Sequence, residues 1–318
     1  MQQTTNTVLM IRPVAFRRNE QTLVNNYYQK TGETLLPATA NAKAQDEFDA
    51  LVAKLRGVGV NVIEINDTLD SDTPDSIFPN NWISFHQNGD VALYPMFAEN
   101  RRLERREDVL DIMEENGFYI DQLVDYSSAE QEGLFLEGTG SLVLDRENIK
   151  AYCALSERSS EEIMIEFCED FEMNPVIFEA FQTVNGERKP VYHTNVMMSI
   201  GETFAVICAD CIDDNKERKM VLDCLKSDGK DIILITEDQM NSFAGNMLQV
   251  RGTNDKRYLV MSTKAHQSLT PKQVQGLEKH CEIITSNLDT IESYGGGSAR
   301  CMMAEVFLPQ AEELEDLD

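Results

Sequence analysis

Residues 76–96 read SIFPNNWISFHQNGDVALYPM, and residues 101–117 read RRLERREDVLDIMEENG. The first stretch has two apolar, strand-like runs on either side of the turn sequence QNGD, which predicts a β-hairpin. The second has apolar residues at three- and four-residue spacing and ends at a glycine, which predicts a helix. The same order recurs as VYHTNVMMSIGETFAVICADC at 191–211 and NKERKMVLDCLKSDG at 215–229. The repeating unit is therefore predicted to be a hairpin, a helix and a further strand.

Further segments carry the same two signals. Apolar segments rich in β-branched residues and ended by turn residues are predicted strands: TVLMIRP (7–13), VNVIEIND (60–67), GSLVLDREN (140–148), DIILITEDQ (231–239), MLQVRGTNDKRYLVMSTKA (247–265) and CEIITSN (281–287). Segments with helical periodicity alternate with them: AQDEFDALVAKLRGVG (44–59), SSEEIMIEFCEDF (159–171) and TPKQVQGLEKHC (270–281). If the unit recurs around the chain, this α/β fold consists of small sheets arranged radially, with a site where strand ends converge.

The composition, 42% hydrophobic and 26% charged residues over 318 positions, is that of a globular protein. The length permits two domains or one closed α/β assembly. The formal net charge of -27 repels polyanions, so neither nucleic acid nor an anionic membrane surface is expected as a partner. A cationic or zwitterionic small substrate fits this charge, although acidity more often serves solubility.

The N-terminal sequence and the cysteines bear on location. Residues 1–16, MQQTTNTVLMIRPVAF, have no charged leader and no small-residue cleavage site, and no run in the chain is long enough to span a bilayer. The seven cysteines form an odd, scattered set, which favours free thiols in a reducing compartment. A cytoplasmic protein is therefore expected. The acidic end AEELEDLD, residues 311–318, is expected to be a mobile tail.

A glycine-rich loop leads into Cys301. Residues 292–309 read ESYGGGSARCMMAEVFLP, in which three glycines precede the cysteine and allow the backbone to approach a ligand closely. No phosphate-loop pattern and no G-x-G-x-x-G pattern is present, so a nucleotide site is not favoured. The neighbouring Arg300 and the exposed amides of a loop would favour a thiolate, which makes Cys301 a candidate nucleophile. The alternative for any single cysteine is a buried structural thiol.

Four histidines are present, and His193 has the most suggestive position. It lies among small polar residues at the start of an apolar strand pattern, a common place for a general acid or base. His266 and His280 fit a solvated surface, and His86 precedes a hairpin turn. No two histidines have metal-ligand spacing, and no Cys-x-x-Cys pair supports zinc. No metal is expected.

Two acidic residues stand out from the solvated majority. Asp75 lies beside a dense polar cluster within an apolar hairpin that also holds the only tryptophan, Trp82. Glu137 lies between an apolar-leaning run and a glycine-rich turn. Carboxylates at strand ends can accept hydrogen bonds from planar N–H groups, whereas the alternative for each is an acid that caps a turn.

Five segments together resemble one enzyme superfamily. They are PDSIFPNNW (74–82), LEGTGSLVLD (136–145), LSERSS (155–160), YHTNVMMSIG (192–201) and GGGSARCMMAEV (295–306). In this order they resemble the guanidino-modifying enzymes, which include arginine deiminases, dimethylarginine dimethylaminohydrolases and amidinotransferases, and most closely the branch of citrulline utilisation hydrolases. The resemblance covers nearly the whole chain. It implies a five-bladed α/β propeller (pentein) of ββαβ units, with residues 1–310 as one catalytic domain.

The resemblance also implies roles for individual residues. It makes Cys301 the nucleophile and His193 the acid and base. Glu137 completes this catalytic set, and Glu137 and Asp75 are implied to bind the planar nitrogens of the substrate.

Arginines in this superfamily bind the carboxylate of the amino-acid substrate. The matching segments offer Arg101 or Arg102, and Arg158. A bidentate guanidinium suits a carboxylate, which gives the match a physical reason. The alternative for Arg101 and Arg102 is a solvated helix face. Which of Arg101, Arg102 and Arg105 points inward is left open.

The chain departs from the family pattern at one position. Dimethylarginine hydrolases have a second substrate-facing aspartate six residues beyond the first, where this chain has Asn81, preceded by Asn80. An aspartate favours a guanidinium cation, whereas an asparagine offers both a donor and an acceptor to a neutral ureido group. Asn80 and Asn81 are therefore predicted to bind substrate, and citrulline is favoured over arginine.

The resulting prediction is a cysteine hydrolase of C–N bonds that acts on the guanidino or ureido carbon of a free amino acid. Citrulline would give ornithine, ammonia and carbon dioxide through a covalent S-linked intermediate. The alternatives are an arginine deiminase or dimethylarginine dimethylaminohydrolase, an amidinotransferase, and a non-catalytic amino-acid-binding protein. No cofactor is expected, the only expected partner is the small-molecule substrate, and a homodimer is left open.

Overall fold

Small sheets and helices make up the chain. A computed structural model describes residues 1–29 and 35–312. Among these residues, the strands form five three-stranded sheets and one two-stranded ribbon. In each three-stranded sheet the middle strand pairs antiparallel with one neighbour and parallel with the other. The fold is therefore mixed α/β.

The strands have the following bounds. In chain order they are β1 (Thr7–Arg12), β2 (Asn61–Asn66), β3 (Ile83–Phe85), β4 (Asp90–Leu93), β5 (Gln122–Asp125), β6 (Leu142–Asp145), β7 (Lys150–Leu155), β8 (Asn174–Glu179), β9 (Phe181–Val184), β10 (Glu187–Pro190), β11 (Met198–Ile200), β12 (Phe204–Ile207), β13 (Asp231–Leu234), β14 (Leu248–Arg251), β15 (Arg257–Ser262), β16 (Glu282–Ser286) and β17 (Ala304–Glu305).

The helices lie between and before these strands. The α-helices are α1 (Pro37–Gly57), α2 (Glu99–Arg102), α3 (Asp108–Glu115), α4 (Gly138–Ser141), α5 (Glu161–Asp170), α6 (Thr194–Met197), α7 (Asn215–Ser227), α8 (Glu237–Met240), α9 (Thr263–Ser268), α10 (Pro271–Glu278) and α11 (Asp289–Gly295). Short 3-10 helices cover Pro79–Asn81, Ser127–Glu132, Ala209–Cys211, Thr253–Asp255 and Ala299–Met302.

Four of the sheets follow the predicted order of hairpin, helix and parallel strand. They contain β3–β4–β5, β6–β7–β8, β11–β12–β13 and β14–β15–β16, each with helices between its second and third strand. The fifth sheet joins the two ends of the chain, because β17 pairs antiparallel with β1 while β1 pairs parallel with β2 across α1. The same unit is thus present here with its first strand supplied by the C-terminal part of the chain.

Apolar helix faces cover these sheets. In α1 the buried residues include Phe48, Leu51 and Leu55, which share one hydrophobic cluster with Val8 and Val62 of the adjoining sheet. Burying each large side chain stabilises the folded state by roughly 1.5–3 kcal/mol. This packing holds β1 and β2 against α1.

Two local predictions need correction. Residues 101–117 do not form one helix, because α2 ends at Arg102 and α3 begins at Asp108. The side chain of Arg101, near the end of α2, turns inward and binds Glu104, which follows that helix. The strand pattern after His193 also starts later than predicted, at Met198, because a short helical turn intervenes. Its Thr194 hydroxyl donates to the carbonyl of Ser141 at 2.6 Å and so ties the turn to the neighbouring sheet.

A short turn, helical in four of the five cases, precedes the first strand of every three-stranded sheet. Pro79–Asn81 precedes β3, α4 precedes β6, α6 precedes β11, residues 241–247 precede β14, and Ala299–Met302 precedes β17. The turns before four of these strands carry Asn81, Asn195, Asn246 and Cys301, two or three residues before the strand begins. The site described below is built from these turns.

The C-terminal segment is fixed to the fold as far as the structure describes it. The amide of Ala311 donates to the carbonyl of Gly117 at 2.8 Å, and Gln310 forms a bridge with Phe118. Of the predicted mobile tail, residues 313–318 lie outside the described residues, and the domain boundary at 310 stays a prediction. In the described ranges, no helix has the length and apolarity needed to cross a membrane.

Candidate active site

A narrow cavity brings most of the predicted site residues together. Cys301, His193, Asp75, Asn81, Arg101 and Arg158 all line it. Glu137 lies directly behind the histidine, and Asn80 lies behind Asn81. These residues come from segments more than 200 positions apart in the sequence, so the fold assembles the site from separate turns.

His193 and Glu137 form a buried pair. His193 Nε2 lies 2.7 Å from Glu137 Oε2, and both side chains are almost fully buried. Burial lowers the pKa of His193 to about 4, although Glu137 opposes this change. Burial by itself would raise the pKa of Glu137, but Arg158, His193 and Arg101 together hold that pKa well below its usual range. The pair is therefore a carboxylate that accepts a hydrogen bond from a neutral imidazole, which leaves Nδ1 as the basic nitrogen.

A glycine makes room for this pair. A side chain at Gly140 would place its Cβ 2.8 Å from the His193 ring and 2.4 Å from Asn81 Nδ2. Because real Cβ atoms do not approach other atoms so closely, only glycine lets the turn before β6 pass between the histidine and Asn81. This explains one of the two glycines in the sequence EGTGS.

Cys301 lies on the 3-10 turn that follows the three glycines. Its thiol is buried, with 3% of the residue exposed, and it receives hydrogen bonds from two side-chain amides. Asn246 Nδ2 is 3.2 Å from Cys301 Sγ, and Asn195 Nδ2 is 3.5 Å from it. Polar donors at this distance stabilise negative charge on the sulfur.

Glu292 holds the glycine-rich loop in place through a hydrogen bond from Ser298. The Ser298 hydroxyl donates to Glu292 Oε1 at 2.7 Å, and the Cys301 amide donates to the Ser298 carbonyl at 3.0 Å. Gly296 has a φ of 68°, a conformation that glycine adopts without strain, and a Cβ there would clash with Asn26 at 2.5 Å. The loop is thus held in a shape that presents the cysteine to the cavity.

Arg101 occupies the centre of a charged network. Its NH1 donates to Asn81 Oδ1 at 2.7 Å and lies 3.9 Å from Glu137 Oε2, and its Nε lies 4.0 Å from Asp75 Oδ2. Its NH2 donates to Glu104 Oε2 at 2.8 Å. Burial raises the pKa of Glu104 to about 8, although Arg101 opposes this. Burial also raises the pKa of Asp75, again opposed by Arg101. The cation therefore offsets part of the negative charge around the cavity.

Arg158 is the second buried cation. Its Nε donates to Asn25 Oδ1 at 3.0 Å, and its NH1 lies 3.5 Å from Glu137 Oε2. Its guanidinium also lies over the Tyr192 ring, 5.0 Å from the ring centre. A planar cation held in this way is suited to a carboxylate ligand in the same cavity.

Asn80 and Asn81 form a short chain of hydrogen bonds. Asn81 Nδ2 donates to Asn80 Oδ1 at 3.2 Å, and Asn80 Nδ2 donates to the Thr139 hydroxyl at 3.2 Å. Since Arg101 can only donate, the Asn81 atom that it meets is the oxygen. Asn81 therefore lines the cavity with its oxygen already used and its NH2 group partly available.

Arg102 and Arg105 lie apart from the cavity. Arg102 Nε donates to the carbonyl of Met96 at 3.0 Å, and Arg105 NH1 forms an ion pair with Glu130 at 2.5 Å. Of Arg101, Arg102 and Arg105, Arg101 is the one whose guanidinium lies among the predicted substrate-binding groups.

Several polar residues at the site were not predicted from the sequence, and three of them contact residues that were. Glu104 binds Arg101, and Asn195 and Asn246 contact the cysteine sulfur. One signal was available for the two asparagines, because each stands in the turn before the first strand of a unit, as do Asn81 and Cys301. No comparable signal marked Glu104, which lies in a run of charged residues.

Within residues 1–29 and 35–312, no group of three or more His, Cys, Asp or Glu side chains could hold a metal ion. The sequence does contain one Cys-x-x-Cys pair, Cys208 and Cys211, whose Sγ atoms lie 3.3 Å apart, but among the described residues it is not part of such a group.

Solved structures with the same fold include three relevant comparisons. Full-length ArgZ, an arginine dihydrolase from the ornithine–ammonia cycle in cyanobacteria, aligns with a TM-score of 0.74 at 16% identity, over 95% of this chain and 41% of that one. Its substrate-bound N-terminal domain aligns with a TM-score of 0.72 at 17% identity, over 95% and 99%. A DDAH from Pseudomonas aeruginosa in complex with citrulline aligns with a TM-score of 0.63 at 14% identity, over 95% and 99%. The chain thus spans about two fifths of the full-length dihydrolase.

Sequence comparison assigns the family. No curated protein matches the sequence significantly. The profile described as "N,N dimethylarginine dimethylhydrolase, eukaryotic" matches residues 12–308, which is nearly the whole chain. The predicted superfamily is thereby confirmed. The chain belongs to this dimethylarginine dimethylhydrolase family, within the guanidino-modifying enzymes.

Proposed function

We propose that this chain hydrolyses the ureido group of free citrulline to ornithine, ammonia and carbon dioxide, with Cys301 as nucleophile. The observation that carries the choice of substrate is the orientation of Asn81. Its oxygen accepts from Arg101 at 2.7 Å, so the group it offers to a ligand is its NH2. A ureido oxygen accepts such a hydrogen bond, whereas a guanidinium has only donors.

The charges around the cavity support the same choice. Arg101 already lies 3.9 Å from Glu137 and 4.0 Å from Asp75, the two acids proposed to hold the planar nitrogens. Arg158 also lies 3.5 Å from Glu137, so two buried arginines already offset the charge of these acids and leave less of it for a guanidinium substrate. A neutral ureido group needs no such charge, and its N–H groups still bind the acids.

The chemistry follows from the state of His193. Because its imidazole is neutral at pH 7, it can take the proton of the Cys301 thiol as the sulfur adds to the ureido carbon. The oxygen of that carbon then gains negative charge, which the NH2 of Asn81 stabilises. The imidazolium gives its proton to the substrate's side-chain nitrogen, the bond from that nitrogen to the carbon breaks, and ornithine leaves a carbamoyl group bonded to the sulfur. His193 next takes a proton from a water that attacks the carbamoyl carbon, and the bond from that carbon to the sulfur breaks. The thiol regains the proton, and the released carbamate breaks down to ammonia and carbon dioxide.

Arg158 and Arg101 are proposed to bind the substrate carboxylate. Both are nearly fully buried and line the same cavity as Cys301. Two buried cations give the carboxylate of a free amino acid a strong, directional site. A citrulline residue within a peptide, whose main-chain carboxylate is tied up in an amide bond, should therefore be a poor substrate.

We also propose that the five sheets form a five-bladed α/β propeller around this cavity. A series of hydrogen bonds between the turns supports this arrangement. Asn80 binds Thr139, Asn195 donates to the Thr139 carbonyl at 3.2 Å, and Asn246 donates to the Asn195 carbonyl at 3.1 Å. The Arg300 amide then donates to Asn246 Oδ1 at 3.1 Å. Each of these turns belongs to a different sheet.

A cytoplasmic location is part of the proposal. All seven cysteines have free thiols, a state that a reducing compartment preserves and that a cysteine nucleophile needs. The substrate is proposed as the only partner required for activity.

An arginine-directed hydrolase is the second candidate. Two observations favour it: the family is described by its action on dimethylarginine, and two buried acids, Asp75 and Glu137, stand at the cavity. The catalytic set would be the same, but the products from arginine would be citrulline and ammonia.

Product analysis separates the two candidates. The chain is incubated separately with citrulline, arginine and methylated arginines, and ornithine, citrulline and ammonia are measured by mass spectrometry and ammonia assay. We expect ornithine from citrulline, with C301A as the inactive control. Citrulline formed from arginine, without ornithine from citrulline, would establish the second candidate instead.

A further inference from the structure

Two asparagine side chains surround the sulfur of Cys301. Asn246 Nδ2 lies 3.2 Å from Cys301 Sγ, and Asn195 Nδ2 lies 3.5 Å from it. The two asparagines are 0% and 1% exposed, and the cysteine is 3% exposed. We call this pair of amides the amide cradle. It is neutral, and it comes from the turns of two sheets other than the one that carries the cysteine.

The orientation of each amide is fixed by its other partners. Asn246 accepts from the Arg300 amide through Oδ1 and donates to the Asn195 carbonyl through Nδ2. Asn195 donates to the Thr139 carbonyl through Nδ2, and its Oδ1 lies 3.9 Å from the Cys301 sulfur, where it can accept from the thiol. An NH2 group has two hydrogens, so in each residue one hydrogen binds a backbone carbonyl and the other is directed at the sulfur. Rotating either amide by 180° would place an oxygen against a carbonyl.

We propose that Asn195 and Asn246 are catalytic residues that stabilise negative charge on the Cys301 sulfur. This inference rests on the proposed role of Cys301 as nucleophile. The sulfur carries negative charge twice in such a reaction, once when it attacks and again when it leaves the S-linked intermediate. Donors already in place need no reorganisation at either moment, and their effect is strong where water is excluded.

Neutral donors suit this position better than a cation would. A lysine or arginine beside the sulfur would bind the thiolate so firmly that its nucleophilicity would fall, since nucleophilicity declines as a thiolate becomes less basic. Two weak N–H···S contacts stabilise the negative charge and still leave the sulfur nucleophilic. They also leave His193 free to exchange a proton with the substrate rather than remain in an ion pair with the sulfur.

The cradle can be tested on the resting protein without any substrate. The rate at which iodoacetamide alkylates Cys301 is followed at pH 7 by mass spectrometry of the peptide that contains it. N246L removes the donor with a side chain of similar size and no charge. We expect alkylation to slow about tenfold, the loss expected for a hydrogen bond to a charged group. N195L repeats the test at the other amide.

A matched control separates donation to the sulfur from support of the turns. T139V removes the hydroxyl that binds Asn80 in the same series of hydrogen bonds but does not touch the sulfur. It should leave the alkylation rate within about twofold of wild type. If N246L fails to fold, N246A, which also removes the donor without adding a charge, serves in its place.

Two outcomes overturn the inference. One is unchanged alkylation in folded variants at both asparagines. The other is an equal slowing in T139V, which would mean that the turns, not the donors, matter. Because alkylation needs no substrate, a failure to hydrolyse citrulline would refute the proposed function and leave this test valid.

Discussion

The two sides of the cavity differ in how they are charged. The side proposed to hold the substrate has three buried acids and two buried arginines, namely Asp75, Glu104, Glu137, Arg101 and Arg158. The side that holds Cys301 has the neutral amides of Asn195 and Asn246 and a glycine-rich loop. His193 lies where they meet, neutral itself and bound to Glu137.

This difference indicates a division of work. Charges give strong, directional binding to a zwitterionic amino acid, which carries charges of its own. Dipoles suit the nucleophile, because its charge changes during the reaction and a fixed counter-ion would favour only one of its states. Removing His193, which links the two sides, should therefore lower the turnover rate most. Changing groups within the charged side should alter substrate binding and selectivity.

The largest effect is expected for H193Q. This change keeps a polar side chain of similar reach but removes the group that exchanges a proton with Cys301 and the substrate. We expect kcat to fall by about 10²–10⁴-fold, with a smaller change in KM. Steady-state kinetics on citrulline measure this. A kcat within twofold of wild type would contradict the role of His193 in proton transfer between the two sides.

Arg101 and Arg102 provide a matched pair on the charged side. Replacing Arg101 alone would leave Glu104 buried without its partner, so the change is made as R101Q together with E104Q. We expect KM to rise by about 100-fold, because a buried cation that meets the carboxylate is lost.

R102Q is the control for that variant. Arg102 is 28% exposed at its side chain and binds a backbone carbonyl and Glu130 outside the cavity. Its KM should stay within about twofold of wild type. Equal effects at the two positions would contradict the assignment of Arg101 to the site.

Selectivity should change at Asn81. N81D replaces the NH2 donor with a second oxygen, which favours a cationic guanidinium over a ureido oxygen. We expect the ratio of kcat/KM for arginine to that for citrulline to increase by about tenfold. Competition between the two substrates, read by mass spectrometry, measures the ratio. An unchanged ratio would show that Asn81 does not face the planar group.

The pH dependence should be shifted rather than reduced. Burial lowers the pKa of His193 to about 4 from 6.5, so the imidazole stays neutral and able to accept a proton well below neutral pH. We expect kcat/KM to hold nearly level from pH 7 down to about 5 and to fall as the pH drops through about 4. A decline centred near pH 6.5 would mean that the histidine is not desolvated in this way.

The same shift has a consequence for stability. The unfolded chain binds a proton at this histidine below pH 6.5, while the folded chain does so only near pH 4. The histidine therefore makes the folded state progressively less stable as the pH falls from 6.5 to 4. Thermal unfolding of wild type and H193Q across this window should show a smaller pH dependence in the variant.

Local patterns were sufficient to predict the unit of the fold. Hairpins, helices and parallel strands leave distinct periodicities, and each unit repeats them, so the order of elements follows from the sequence. The break between α2 and α3 does not. It depends on the contact between Arg101 and Glu104, whose side chains read as a charged, solvated surface until the burial of that segment is known.

Part of the site was accessible to sequence reasoning for the same reason. Cys301 is marked by its glycine loop and His193 by its place before a strand, whereas Asn195 and Asn246 are ordinary turn residues when taken singly. Their importance arises because turns from separate sheets meet at one sulfur. Contacts of that kind link positions 55 and 106 residues away from Cys301, beyond the reach of any local pattern.

The central claim is that the sulfur of residue 301 becomes covalently bonded to the carbon of the substrate's planar group. The most direct test is to mix the protein with citrulline, stop the reaction rapidly, and analyse the peptides of the protein by mass spectrometry. We predict an added carbamoyl group on the peptide that contains Cys301 and on no other. It should form as ornithine appears, be lost with time as ammonia is released, and be absent in C301A. Ornithine formed with no adduct at that peptide, or formed by C301A, would contradict the account.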